Sequence, residues 1–245
     1  MIALFPEGFE ELESPDGLEL VAYTDARGEE RLWQVFGGAG VADVEAGWEE
    51  RWRQFHRPVR IGPLWIGPPW EAPPADAIAV VVDPGAAFGT GAHPTTRLSI
   101  ELLATLPPTG SLLDVGCGSG VLAIAAAKLG FAPVAAVDVE AQAVSETQRN
   151  AAANAVTVEA RCVDALHAQL PPMYVAVANV TLAAVETLAR RLVCDRLVTS
   201  GYLVSDEPAL PGWDRVERRE LEGWAADLSR PAVRRAGRGR PAVQR

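Results

Sequence analysis

From residue 77 onward the chain alternates two hydrophobic periods. Short aliphatic, β-branched runs at 78–82, 112–115, 134–138, 156–162, 175–179 and 197–200 are separated by alanine- and leucine-rich stretches at 95–106, 121–129, 141–153 and 182–192. The first kind predicts strands and the second helices, and their alternation predicts a parallel sheet covered by helices. Two further runs, 215–221 and 223–228, predict a closing pair of strands. Upstream the pattern is different. Residues 18–24 read as a short strand, and 47–55 as a helix carrying Trp48, Trp52 and Phe55 on one face at i, i+4 and i+7. Five prolines at 63, 68, 69, 73 and 74 argue for an extended, semi-rigid connection.

Composition sharpens this division. Five of the seven tryptophans (Trp33, Trp48, Trp52, Trp65, Trp70) precede residue 71, whereas the middle of the chain is rich in alanine and valine. The expected organisation is a small N-terminal α+β unit at 1–58, a proline-rich linker at 59–76, an α/β domain at 77–230 and a tail at 231–245. With 245 residues, 49% of them hydrophobic, the chain can bury one good core and a small appendage. It contains no apolar run near the roughly 20 residues of a membrane span and no secretion-signal pattern at its start, so a soluble cytoplasmic protein is expected. Cys117, Cys162 and Cys194 have neither metal-ligand spacing nor the density of a disulfide framework. No metal site is expected.

The net charge of −10 conceals an asymmetry, because six arginines and no acid lie between Ser229 and Arg245. Without those six the rest of the chain stands at −16. Such a body favours a basic partner, for instance a lysine-rich protein, and leaves nucleic-acid contact to the arginine-rich tail alone.

The sharpest chemical signal is Leu112-Leu-Asp-Val-Gly-Cys-Gly-Ser-Gly-Val-Leu-Ala, a buried strand running through a glycine turn into a helix. A strand-end crevice of this kind is where an open α/β sheet holds a nucleotide-like ligand. Gly116, Gly118 and Gly120 let backbone approach that ligand while helix N–H groups point toward it. A dinucleotide fingerprint requires G-x-G-x-x-G, and here the third glycine comes one residue early, with Val121 in its place. That spacing argues against a nicotinamide dehydrogenase. With Asp114 two residues ahead of the first glycine, the order D-x-G-x-G-x-G resembles the first motif of class I methyltransferases. The next strand ends in Asp138, 18 residues past Gly120, where a carboxylate can accept hydrogen bonds from both ribose hydroxyls of an adenosyl group. Asp164 closes the third strand near the adenine edge. Asn179 closes the fourth, where its amide can hold both ligand and acceptor amine.

Ahead of the glycine strand lies a second loop, Asp83-Pro-Gly-Ala-Ala-Phe-Gly-Thr-Gly-Ala-His-Pro-Thr-Thr-Arg97. Loops so rich in glycine and hydroxyl side chains commonly carry function. Phe88, Gly91 and Thr96 are candidate cofactor contacts, and His93 reads as a cap or loop brace rather than a catalytic base. These motifs specify S-adenosylmethionine but leave the acceptor open. A methyltransferase acting on a small molecule or on RNA would share them, as would a silent module that only binds the adenosyl ligand.

The Phe-Gly-Thr-Gly-x-His-Pro-Thr-Thr loop, the glycine turn at 114–126 and Val137-Asp138 together resemble the PrmA family of ribosomal protein methyltransferases, over roughly residues 48–228. The resemblance implies a Rossmann-like fold and S-adenosylmethionine-dependent methylation of lysines and the N-terminal amine of large-subunit protein L11. It also implies cofactor contacts from Thr96, Gly116, Asp138 and Asn179. Leu4-Phe-Pro-Glu-Gly-Phe-Glu-Glu resembles the part of the family's small substrate-gripping domain that follows its first strand and helix, so that domain is expected here in shortened form. Asn179 is followed by Val-Thr-Leu where the family usually has Ile-Leu-Ala, a change that still excludes the Asn-Pro-Pro-Tyr pattern of glutamine and adenine methylases.

Overall fold

The computed structural model describes residues 10–14, 17–21, 32, 35–36, 57–83 and 91–232. In chain order their elements are β1 (Glu10–Ser14), β2 (Gly17–Val21), β3 (Val59–Ile61), β4 (Leu64–Gly67), β5 (Ile78–Val81), α1 (Pro94–Thr105), β6 (Leu112–Val115), α2 (Val121–Leu129), β7 (Val134–Asp138), α3 (Ala141–Ala153), β8 (Glu159–Cys162), β9 (Met173–Asn179), α4 (Leu182–Leu188), β10 (Cys194–Leu203), β11 (Trp213–Leu221) and β12 (Trp224–Pro231). The helix expected at 47–55 and the arginine-rich tail from residue 233 lie outside the described residues. The strand expected at 18–24 is β2, paired with β1 in an antiparallel hairpin.

Seven strands form the main sheet in the order β11-β12-β10-β9-β6-β7-β8. The five from β8 to β10 run parallel, and β12 lies antiparallel to both of its neighbours. The inner parallel strands β6, β7 and β9 are apolar on both sides, as burial on both faces demands, whereas β8 at the sheet edge is polar and largely exposed. Alternate residues therefore feed two cores. On one face Leu112, Val134, Val175 and Val177 pack with α1 and α2; on the other Leu113, Val137, Ala176 and Ala178 pack with Leu188 of α4. Helices thus cover both faces, as the alternating pattern predicted.

The strand at 78–82 departs from expectation. Instead of joining the parallel sheet, β5 runs parallel to β4 in a separate three-stranded sheet of order β3-β4-β5. Residues 59–76, read from their prolines as a linker, are consequently ordered: Leu64, Trp65 and Ile66 are buried, and Leu64, Ile66 and Val80 enter the same core as α1 and α2. The physical cause is α2, whose residues Val121 to Ala126 are all buried. A helix that is apolar all round must be covered all round; the main sheet covers one side and the small sheet the other. Two asparagines at the C-terminal end of α3, Asn150 in its last turn and Asn154 as its C-cap, fasten that sheet. Asn154 Oδ1 accepts from the Val81 amide at 2.8 Å while its Nδ2 donates to the Val81 carbonyl at 2.6 Å, completing an open strand edge. Asn150 accepts from the Asp83 amide at 3.2 Å and donates to the Ser119 carbonyl at 2.9 Å.

Candidate functional site

Strand order reverses between β6 and β9, since β7 and β8 extend to one side and β10 to the other. At such a switch point the loops leaving the strands' carboxyl ends part and open a crevice. There a cleft of about 760 Å³ is lined by Val115, Gly116, Gly118, Val137, Asp138 and Val180, with further walls from 139–143 and 163–166. Its size lies within the range of small-ligand sites. Four consecutive parallel strands contribute to it.

The glycine turn is held from several directions. Both the Gly116 and Cys117 amides donate to the Val137 carbonyl, at 2.9 and 3.2 Å. Gly116 has φ +76°, and a Cβ there would stand 2.5 Å from Val180 Cγ1, so this residue must be glycine for the turn to pass beneath the end of β9. The Gly118 amide donates to Asp138 Oδ2 at 3.0 Å, and the other oxygen of Asp138 accepts from the Glu140 amide at 3.0 Å. Asp138 thereby braces the turn while lining the cleft. Thr147 on α3 donates to the Gly118 carbonyl at 3.0 Å. Gly120 caps α2 in the left-handed conformation.

Asp114, expected with the ligand contacts, lies beneath the turn rather than in the cleft wall. It is fully buried; one oxygen accepts from the Ala123 amide at 3.1 Å, and Oδ1 has no hydrogen-bond partner. Burial pushes its pKa up to about 7. Asp164 does line the cleft, at an exposed edge. Its carboxylate contacts His167 Nδ1 at 2.7 Å and accepts from the Leu166 amide. The His167 hydrogen bond holds it below the usual carboxylate range.

Thr96 and Asn179 are brought together from 83 residues apart. Asn179 Nδ2 lies 3.4 Å from Thr96 Oγ1, Thr96 being buried in the first turn of α1 and Asn179 half-buried at the end of β9. Neither is part of the cleft wall, which Val180 supplies next door. His93 caps α1: Nδ1 accepts from the Thr95 amide at 3.3 Å and lies 2.8 Å from the Thr95 hydroxyl. Burial lowers the His93 pKa against the opposing charge of Glu222. Gly91 is buried against Ile66 of β4, away from the cleft wall. Phe88 lies outside the described residues.

Sequence reasoning missed Gly201. It has φ +101°, and a Cβ on it would collide with the Val180 carbonyl, so the loop after β9 rests on the bare backbone of β10. A glycine inside a predicted strand often marks such a close approach, and that signal was available. The apolar lining at Val139, Val163 and Leu166 had no comparable signature.

A cleft at the switch point of this sheet, with a D-x-G-x-G-x-G turn, an acid ending the second strand and an antiparallel strand inserted near one edge, defines a class I methyltransferase. The chain belongs to the ribosomal protein L11 methyltransferase (PrmA) family, whose profile matches residues 21–206. The ribosomal protein L11 methyltransferase of Legionella pneumophila (strain Lens) is 38% identical over 199 residues, covering 74% of this chain and 68% of that protein. The one of Geotalea uraniireducens is 40% identical over 217 residues, covering 78% and 67%. Among solved structures, the crystal structure of a ribosomal protein L11 methylase from Lactobacillus delbrueckii subsp. bulgaricus superposes with a TM-score of 0.65 at 25% identity, covering 73% of this chain and all of that one. The chain is thus a methyltransferase, and its class implies S-adenosylmethionine as methyl donor. The match begins earlier than the resemblance at residue 48 and ends before β11. No helix among the described residues is long and apolar enough to cross a membrane.

Proposed function

We propose that this protein transfers methyl groups from S-adenosylmethionine to amino groups, lysine side chains and the N-terminal amine, of a basic ribosomal protein, namely L11. The observation that carries this reading is the Thr96–Asn179 pair, because it joins the loop that marks the family to the fourth strand at the rim of the cleft. The residues present fit the cofactor. The apolar cleft with carboxylates of Asp138 and Asp164 at its edge suits an adenosyl group. When bound, S-adenosylmethionine supplies a methyl group on a sulfonium, which is a good leaving group.

The chain's own residues then have two tasks. One is holding: Asp138 would receive the ribose hydroxyls, Gly116 and Gly118 would offer bare backbone, Asp164 would face the adenine edge, and Thr96 fixes the Asn179 amide. The other is orientation. A lysine amine has a pKa near 10.4, and a poorly solvated rim lowers it, making the neutral nucleophile accessible. Asn179 Oδ1 accepts a hydrogen bond from that neutral amine and aims its lone pair, with no side chain serving as strong base. Positioning of this type is worth orders of magnitude in rate.

Incubation with radiolabelled S-adenosylmethionine and ribosomal proteins from a strain lacking the family's enzyme tests the proposal. Mass spectrometry is expected to place label on L11 amines; label confined to RNA or to a small molecule, or cofactor binding with no label anywhere, overturns the acceptor assignment. Asn179→Ala is expected to slow turnover about 100-fold, and full turnover with unchanged cofactor affinity removes Asn179 from its role.

A further inference from the structure

The hairpin β11–β12 lies beyond the matched residues 21–206, yet it is tied to the reaction rim. Leu221 pairs with Trp224 across a two-residue turn, Glu222–Gly223, whose φ values of 51° and 81° are those of a type I′ turn. This turn fixes where Trp224 emerges. The indole meets the His93 ring edge-on, with centroids 5.0 Å apart and an interplanar angle of 67°. Beside them Glu222 pairs with Arg97 Nη1 of α1 at 3.5 Å. Both rings are half-buried, leaving part of their surface open.

Their place follows from the register. Asn179 lies opposite Ser200 of β10, Ser200 lies opposite Ala226 of β12, and the Ser200 hydroxyl donates to the Ala225 carbonyl at 2.8 Å. Trp224 is the next residue toward the carboxyl edge of β10, two strand spacings or about 10 Å from the line of β9. His93 spans that gap, since it touches Trp224 on one side and caps the helix whose Thr96 holds Asn179 on the other. Val177 and Trp224 contribute to the same core, so Asn179, Thr96, His93 and Trp224 all stand on one face of the sheet. A part-open indole face attracts an alkylammonium ion; the His93 ring sets its orientation, and the Glu222 carboxylate, shared with Arg97, stands at its margin.

We propose that Trp224 and His93, with Glu222 at the margin, form the surface that receives the acceptor's alkylammonium group, and that they hold each partly methylated ammonium while it loses its proton to solvent and becomes the neutral amine that takes the next methyl. This rests on the reading of the acceptor as an amine. A methylated ammonium cannot donate as many hydrogen bonds to Asn179 as an unmethylated amine, whereas its attraction to an indole face persists as methyls are added. The wall thus retains what the amide releases. Burial lowers the His93 pKa, which disfavours a charged imidazolium beside a bound cation.

The test needs no ribosomal protein. The indole N–H signal of Trp224, identified with Trp224→Phe, is followed by NMR in the S-adenosylhomocysteine complex during titration with Nα-acetyl-Nε-trimethyllysine amide, and with the neutral acetyl-norleucine amide as control. Saturable shifts with the trimethyllysine probe are expected in the wild type, with affinity, read in every protein from broadening of the probe's own N-methyl signal, about 3- to 10-fold weaker in Trp224→Ala, intermediate in Trp224→Phe and weaker for norleucine. S-adenosylmethionine affinity is expected to stay within twofold in all variants. In the methylation assay Trp224→Ala is expected to shift products toward monomethylated amines. Equal probe affinity in wild type and Trp224→Ala, equal binding of norleucine, or loss of cofactor binding in Trp224→Ala overturns the proposal. Failure of wild type to label any amine instead overturns the acceptor reading, while the probe titration still decides whether the wall binds cations.

Discussion

Asp114 is a fully buried carboxyl group that accepts one hydrogen bond, from the Ala123 amide, and whose Oδ1 has no protein partner. Its pKa, pushed up to about 7 from 3.8, makes the folded state hold a proton that the unfolded state has released. Between about pH 4 and 7 the folded chain binds more protons, so this group's contribution to stability falls as pH rises through that window and is level above it. Asp114→Asn, which keeps an acceptor for Ala123, is therefore expected to melt higher than wild type at pH 8.5, by up to about 4 kcal/mol, and to converge with it near pH 4. Parallel melting curves at the two pH values would exclude the buried charge as the cause. Gly201 is the opposite case, a residue whose missing side chain matters. Gly201→Ala must adopt φ +101° and displace the Val180 carbonyl, at a cost of about 2–5 kcal/mol. Urea unfolding is expected to show that loss, and calorimetry a weakened cofactor affinity, because Val180 lines the cleft.

At the level of elements, the Asn154 amide acts as a missing strand partner for β5. Asn154→Ala leaves the Val81 amide and carbonyl unpaired, and about 1–3 kcal/mol of stability is expected to go with them. Hydrogen exchange at the Val81 amide should accelerate while the β6 amides stay protected; unchanged exchange at Val81 would show the edge to be satisfied otherwise. The same region shows how far sequence carries. Helix limits at 121–129 and 141–153 were legible because Gly120 and Gly130 flank the first and the second is amphipathic, with Ala143, Val144, Thr147 and Ala151 on its buried side. The membership of β5 was not legible, since a strand's pattern reports that both faces are buried without saying which strand lies beside it. The clue was in α2, whose unbroken apolar run required a cover on both sides. Among site residues, Gly116, Gly118, Asp138 and Asp164 were readable as cleft lining because their chemistry is local to a strand end. The Asn150 link between Asp83 and Ser119 was not, because it joins segments that only the fold brings together.

For the molecule as a whole, charge divides the chain into a body at −16 and an arginine-rich end. Neutralising phosphates with that end would give RNA affinity that falls steeply with salt. Truncation after residue 232 is expected to abolish salt-sensitive RNA retention while leaving the melting temperature and cofactor affinity unchanged, as filter binding and calorimetry would show; retained RNA binding would place the contact on the body instead. At this scale the sheet also separates two groups of residues. Val115, Val137 and Val180 line the cleft from the α4 side, while Asn179, Thr96 and His93 stand on the α1 side.

That partition rests on the alternation of side chains along β9, where Val177 turns to one core and Ala178 to the other. Its consequence is evolvability: substitutions on one face of β9 can change what that face meets while the core on the other face keeps its packing. A single-residue insertion in β9, by contrast, would exchange the two faces and disrupt both cores at once.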